Sequence, residues 1–298
     1  MNDTLLTLLQ PWVGFYQDPW FWEFPVTTLM ISVITFLSLA LPWTWLAWAD
    51  PENMRKYKIQ DKPFQIKEFF WPSMGRLLHN NAMQVLVLIL SWPLLKQTGI
   101  HTGELPAWYI IIAQLVFFVL LDDFLYYWMH RGLHENKWLL KKVHSVHHRV
   151  RNTCAINGNY MHWIEFTATA SLMLLGPILL DAHLYVVYIW VVIRQMEGVD
   201  GHAGYDIPWN PLHWLPVYEG PVYHDFHHAK FKGNYAGSLP YLDRYMGNTY
   251  VAEYLKYLQA KREGMTPNEA GRLSLARRST AAGTKVSNTK VAGSSVEV

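Results

Sequence analysis

Apolar residues in this chain gather into blocks on the scale of a lipid bilayer. Val26–Trp48 contains no charged residue, and Ala107–Met129 contains only Asp122 and Asp123, both toward its end. Each is long enough to cross a hydrocarbon core, which takes about 20 apolar residues of helix. Ala82–Leu95 is shorter, at fourteen residues, and Pro93 bends its far end. Phe166–Ile193 is longer but broken by Gly176-Pro177 and Asp181, so it reads as two short helices in a hairpin, re-entrant or just spanning. The pattern predicts an all-α fold: a multi-pass membrane helical bundle with a cytosolic helical cap. In this organisation residues 1–25 form an interfacial segment. Residues 26–129 carry transmembrane helices with a basic cytosolic loop at 50–79, and residues 130–260 form the cap and include the membrane hairpin 166–193.

Charge sets the orientation and the edges of the fold. Residues 1–49 and 99–130 contain no Lys or Arg, whereas 50–68 holds five and 131–151 holds six. Cytoplasmic loops carry the excess of basic residues, so the basic stretches lie in the cytosol and the N-terminus and the 99–106 loop lie outside. The N-terminus has no basic region ahead of Leu5–Leu9, only Asp3, so it is not a cleavable signal. The last 28 residues have no aromatic and net +4, within a Ser/Thr/Ala/Gly/Lys-rich tail from about Thr266; a disordered basic tail over 266–298 is expected. The chain total of +2 then leaves −2 for the rest, which argues against a nucleic-acid-binding surface. A single cysteine, Cys154, excludes an intrachain disulfide framework and any multi-cysteine metal site.

Histidine is the unusual residue. There are 14, and 12 fall between His130 and His228. Three clusters stand out: His130 and His134 in HRGLH, His144, His147 and His148 in HSVHH, and His224, His227 and His228 in HDFHH. Helical positions i, i+3 and i+4 share a face, so two imidazoles so placed can converge on one metal. Eight imidazoles exceed what one tetrahedral ion uses and match two ions with about four nitrogens each. Ligand type alone leaves zinc, copper, iron and nickel open. No HExxH occurs, which disfavours a zincin protease. Asp123, Tyr127, His130 and His134 are spaced 4, 3 and 4, a polar stripe on one helical face. Such a stripe in an apolar helix points to a functional interior. Asp123 is placed to accept the second ring N–H of a ligating histidine, with Tyr127 beside it.

The order and spacing of these motifs resemble the membrane-bound fatty acid hydroxylase/sterol desaturase superfamily. DDFLYYWMHRGLH is similar to its first histidine box and KVHSVHHR to its second. EGVDGHAGYDIPW followed by LPVYEGPVYHDFHHAKFKGNYAGSLPYLDR is similar to the third box of C-4 methylsterol monooxygenases. Two positions depart from that branch. Trp163 follows His162 where proline is usual, and Gly237 stands where a small hydroxyl residue is common.

The resemblance implies a non-haem di-iron centre held by the eight box histidines together with His202, with no catalytic residue beyond the ligands. It further implies dioxygen as oxidant and electrons from NAD(P)H through a b5-type cytochrome and its reductase. Stepwise oxidation would take a C-4 methyl group of a sterol precursor to the carboxylate, which a separate sterol decarboxylating dehydrogenase removes. The histidine boxes would face the cytosol, in the endoplasmic reticulum of a eukaryote or the inner membrane of a bacterium. Trp128, Trp138, Tyr160, Trp163 and Trp214 are candidates to line a sterol cavity, although core or interfacial packing is the commoner use of such residues. His79, His101, His183 and His213 lack a helix-spaced partner and read as structural or interfacial. Within the superfamily the rival is a fatty acid or lipid hydroxylase or a sterol C-5 desaturase. From another class it is a zinc transporter, which requires ionisable residues in the middle of the apolar blocks.

Overall fold

The computed structural model describes residues 10–215, 217–246 and 250–275. It is all-helical, and no strand occurs among the described residues. Three helices are long and apolar enough to cross a membrane: α1 (Pro19–Ala49), α2 (Ile66–Leu95) and α3 (Trp108–Glu135). These mark a membrane protein. Within the most apolar window of α3 only 17% is covered by the rest of the protein. Ile112, Val116 and Leu120 stand exposed on it, as side chains that face lipid must. Helix α1 opens with Asp18 accepting the Trp20 N–H and Pro19 in the first turn. Pro25 lacks an N–H, and the backbone there widens into a π turn over Trp22–Val26.

Helix α2 differs from expectation. It starts at Ile66 and runs thirty residues, so the basic loop is 50–65, and Ala82–Leu95 is the second half of one long helix. Its buried positions Ile66, Phe69, Ser73, Leu77, Asn80, Gln84, Leu88 and Trp92 repeat every three or four residues. Three of those eight are polar, which hides the period from a reading based on apolar runs. The first part of the expected interfacial segment lies outside the described residues, and its last residues, from Pro19, already belong to α1.

Helices α5 (Trp163–Leu179) and α6 (Leu184–Gly201) form the expected hairpin. The break falls at Leu180–His183, where Asp181 takes a left-handed φ of 44° and the His183 ring accepts the Tyr185 N–H. Gly176-Pro177 stays inside α5. Gly176 has a packing role, since a Cβ there would lie 2.7 Å from Phe118 Cδ1 on α3. Trp190, Phe118, Phe24 and Met173 pack together around that contact.

The cap is built from α4 (Lys137–Lys142), a 3-10 helix (His144–Arg149), α7 (Gly220–Lys230), α8 (Tyr241–Tyr245), α9 (Ala252–Arg262) and α10 (Pro267–Leu275). Its core joins Ile59 to Tyr223, Phe226, Tyr254 and Tyr257. Helix α10 corrects the expected tail: residues 267–275 are a packed helix, and residues 276–298 lie outside the described residues. Thr266 and Glu269 form a reciprocal cap at its start. Ala270, Gly271 and Ser274 give it a small-residue face that closes directly on the Ile59 backbone.

Candidate metal centre

All three histidine boxes meet where the long helices join the cap. His130 and His134 sit on the last turns of α3, and His224, His227 and His228 on α7. The second box is a 3-10 helix rather than an α-helix, and His202 caps the end of α6. Asp225, inside the third box, accepts the backbone and hydroxyl of Thr153 and the Gln60 amide. Those bonds tie α7 to the segment after the second box and to the 50–65 loop.

The nine side chains form two buried groups. His130, His134, His144, His148 and His227 make one, and His147, His202, His224 and His228 the other; within each the ring nitrogens lie within 4.8 Å of one another. Backbone carbonyls fix four of the outward ring nitrogens. His130 Nδ1 bonds the Tyr235 carbonyl at 2.7 Å, His227 Nδ1 that of Gly233 at 2.7 Å, His228 Nδ1 that of Val150 at 2.8 Å and His202 Nδ1 that of Gly198 at 2.8 Å. A carbonyl can only accept, so each of these Nδ1 atoms carries the proton and each Nε2 presents a lone pair inward.

Inward Nε2 atoms approach to 2.9–3.3 Å. Lone pairs at that separation repel unless a cation lies between them. Two imidazoles bound at about 2.1 Å are about 3.0 Å apart at a right angle and about 3.4 Å apart at a tetrahedral angle. The spacings therefore match near-right-angle coordination, and five donors exceed a tetrahedral shell. This donor set can hold metal. Burial also keeps the rings free of protons: it pushes His144 and His147 down to about 3 and His202 to about 4, so the lone pairs are available at neutral pH.

The carboxylate supporting this site is a different one from that expected. Asp123 bonds no histidine. It accepts the backbone N–H groups of Ser238 and Leu239 at 2.8 and 3.0 Å and so anchors the loop after the third box. The histidine partner is Glu165, whose Oε1 accepts from His144 Nδ1 at 2.8 Å. Its signal in the sequence was a lone acid at the start of an apolar helix, three residues after His162. Tyr127 packs in the cap core and accepts from Arg131, while the neighbouring Tyr126 lays its ring 5.2 Å from that of His130. His162 stays outside both groups and caps α5, and His101, His183 and His213 also lie elsewhere.

An internal cavity opens onto the second group. His147, His202 and His224 form one end, and Phe24, Phe36, Leu88, Phe166 and Met173 of the membrane helices supply apolar wall. Of the aromatic candidates, Trp128, Trp138 and Trp214 are exposed on the outside, in keeping with the commoner interfacial use of such residues.

The sequence profile of fatty acid hydroxylases matches residues 115–248, the stretch that carries all three boxes. A very-long-chain aldehyde decarbonylase of Oryza sativa subsp. indica, GL1-11, is 37% identical over 240 residues, covering 79% of this chain and 89% of that protein. The chain belongs to the fatty acid hydroxylase family. Its relatives also include methylsterol monooxygenase 2-2 of Arabidopsis thaliana, 33% identical over 210 residues, 69% of this chain and 79% of that one. Methylsterol monooxygenase 1-3 of the same plant is 31% identical over 233 residues, 74% of this chain and 75% of that one. No solved structure matches. Membership in a family of oxidative enzymes thus joins two nitrogen-rich groups to a lipid-side cavity.

Proposed function

We propose that this protein is a membrane-bound non-haem di-iron monooxygenase that oxidises a C-4 methyl group of a sterol precursor. Dioxygen is the oxidant, and electrons come from NAD(P)H through a b5-type cytochrome and its reductase. The observation that carries the reading is the pair of adjoining histidine groups, the second of which forms one end of a largely apolar cavity. Near-right-angle nitrogen spacing supports iron over tetrahedral zinc, and with it an oxygenase over a zinc transporter. His130, His134, His144, His148 and His227 would hold one ion, and His147, His202, His224 and His228 the other. Irons held by these two groups would supply the activation of dioxygen that no side chain here provides. The chain's own contribution is positional. Backbone carbonyls and Glu165 orient the rings, Asp123 and Asp225 fix the third box, and the apolar wall excludes water from the reacting carbon. The boxes would face the cytosol, and a sterol decarboxylating dehydrogenase would take the carboxylate onward.

A second reading, action on a long-chain aldehyde, is favoured by the higher identity to the rice decarbonylases. Iron-loaded protein in lipid, supplied with reductant, 4-methylsterols and long-chain aldehydes, separates the two. Oxidised sterol in the mass spectrum supports the first reading, and a shortened hydrocarbon with intact sterol overturns it.

A further inference from the structure

The cavity contains polar groups that the metal-binding arrangement does not use. Arg194, on α6, donates from Nε to Asp122 Oδ2 at 2.7 Å and stacks its guanidinium 5.5 Å from the Tyr126 ring. That accounts for one of its five N–H donors. Nη1 and Nη2 have no hydrogen-bond partner among the described residues, and neither does the Glu197 carboxylate one turn further along. Neither is a sealed orphan, because both side chains line the cavity. Both are partly exposed, and both side chains contribute to the cavity wall.

Their position relative to the histidines is set by α6. A Cβ built on Gly198 would be 3.8 Å from Arg194 Nη1, which places the guanidinium at the level of Gly198. From there to His202 is one helical turn, about 6 Å along the axis. On that stretch the cavity is lined by Gly198 and Gly201, which present no side chain to it, and Gly158 and Gly237 do the same on other parts of the wall. A flat, rigid ring system can lie against such a surface. The opposite charges of Arg194 and Glu197 act on each other, but guanidinium N–H groups and a carboxylate left without hydrogen bonds in a largely apolar cavity are costly, so a ligand that satisfies both is favoured.

We propose that Arg194 and Glu197 clamp a substrate hydroxyl, Arg194 donating to its oxygen and Glu197 accepting its proton, so that this cavity selects an alcohol over a carbonyl compound. An aldehyde or ketone can only accept and leaves Glu197 unpaired, whereas a hydroxyl uses both partners. The inference rests on the methylsterol reading and deepens it. A 4-methylsterol carries its hydroxyl on the carbon next to the one bearing the methyl group. A clamp one turn from His202 therefore holds the methyl group beside the histidines.

The test measures binding as well as turnover, using metal-loaded protein in lipid nanodiscs. The probes are a 4,4-dimethylsterol with a free 3-hydroxyl and its 3-ketone. Wild type is expected to bind the alcohol at least tenfold more tightly. Glu197→Leu brings the two within threefold of each other, and Glu197→Gln, which keeps a carbonyl acceptor, retains the preference. Unchanged metal content in each variant shows that the histidine groups are intact. Equal binding of alcohol and ketone by wild type, or a preference that survives Glu197→Leu, overturns the clamp. If sterol is still oxidised in that case, the clamp fails and the proposed function stands. If neither sterol binds while a long-chain aldehyde is converted, the function fails and the clamp with it.

Discussion

At the scale of the residue, the chemistry depends on a few lone pairs held in fixed directions. Replacing His147 or His227 with alanine removes one inward nitrogen from the second or first group respectively. Either change should abolish oxidation while the protein still accumulates in membranes, as immunoblotting and product analysis will show. Glu165→Gln is milder, since an amide oxygen can still accept from His144 but no longer carries a charge. Metal affinity should fall by about 10–100-fold, the usual effect of losing such a supporting group, read by competition with a chelator. The eight box histidines were legible because they recur at helical spacing within three short stretches, whereas His202 has no such partner and was marked only by the family resemblance. Glu165 was missed because it lies 21 residues from its partner in the chain, and no local spacing relates the two. Asp123 misled for the opposite reason. It shares a helical face with His130, yet the loop that reaches it comes from residue 238.

At the scale of the element, apolar content reads well where a helix faces lipid and poorly where it faces protein. Helix α3 was legible almost end to end. Helix α2 was not, because Ser73, Asn80 and Gln84 lie on its buried face and bond or pack against other segments, Ser73 with Asn157 and Asn80 with the Met161 carbonyl. Helix α10 was hidden by its small, polar composition, although Thr266-x-x-Glu269 is a local capping signal. The hairpin offers a test of close packing. Gly176→Ala would push a methyl group against Phe118, 2.7 Å away. Overpacking of this kind costs about 1–3 kcal/mol, so the thermal midpoint should drop and recover partly with Phe118→Leu.

At the scale of the whole molecule, burial of so many imidazoles makes stability depend on pH. The His144, His147 and His202 rings resist protonation in the folded chain, at about 3, 3 and 4, while an unfolded histidine titrates near 6.5. Between those limits the unfolded state binds more protons, so stability falls as pH drops. The metal-stripped protein should hold its melting temperature above pH 6.5 and lose it progressively toward pH 4, measured by thermal unfolding in lipid nanodiscs. Variants lacking two of these histidines should show a shallower decline. Bound metal competes with the same protons and should move the decline to lower pH.

The linear order of residues was enough to dictate an all-helical membrane chain and to mark the histidines and the family they resemble. Each of these is written in short-range periodicity or composition, which survives without knowledge of the fold. Tertiary structure alone decided how nine imidazoles divide into five and four, and which carboxylate supports them. It also brought Arg194 and Glu197 to the same cavity as His202. Those outcomes depend on contacts between segments tens to more than a hundred residues apart, and no local spacing rule encodes such distances.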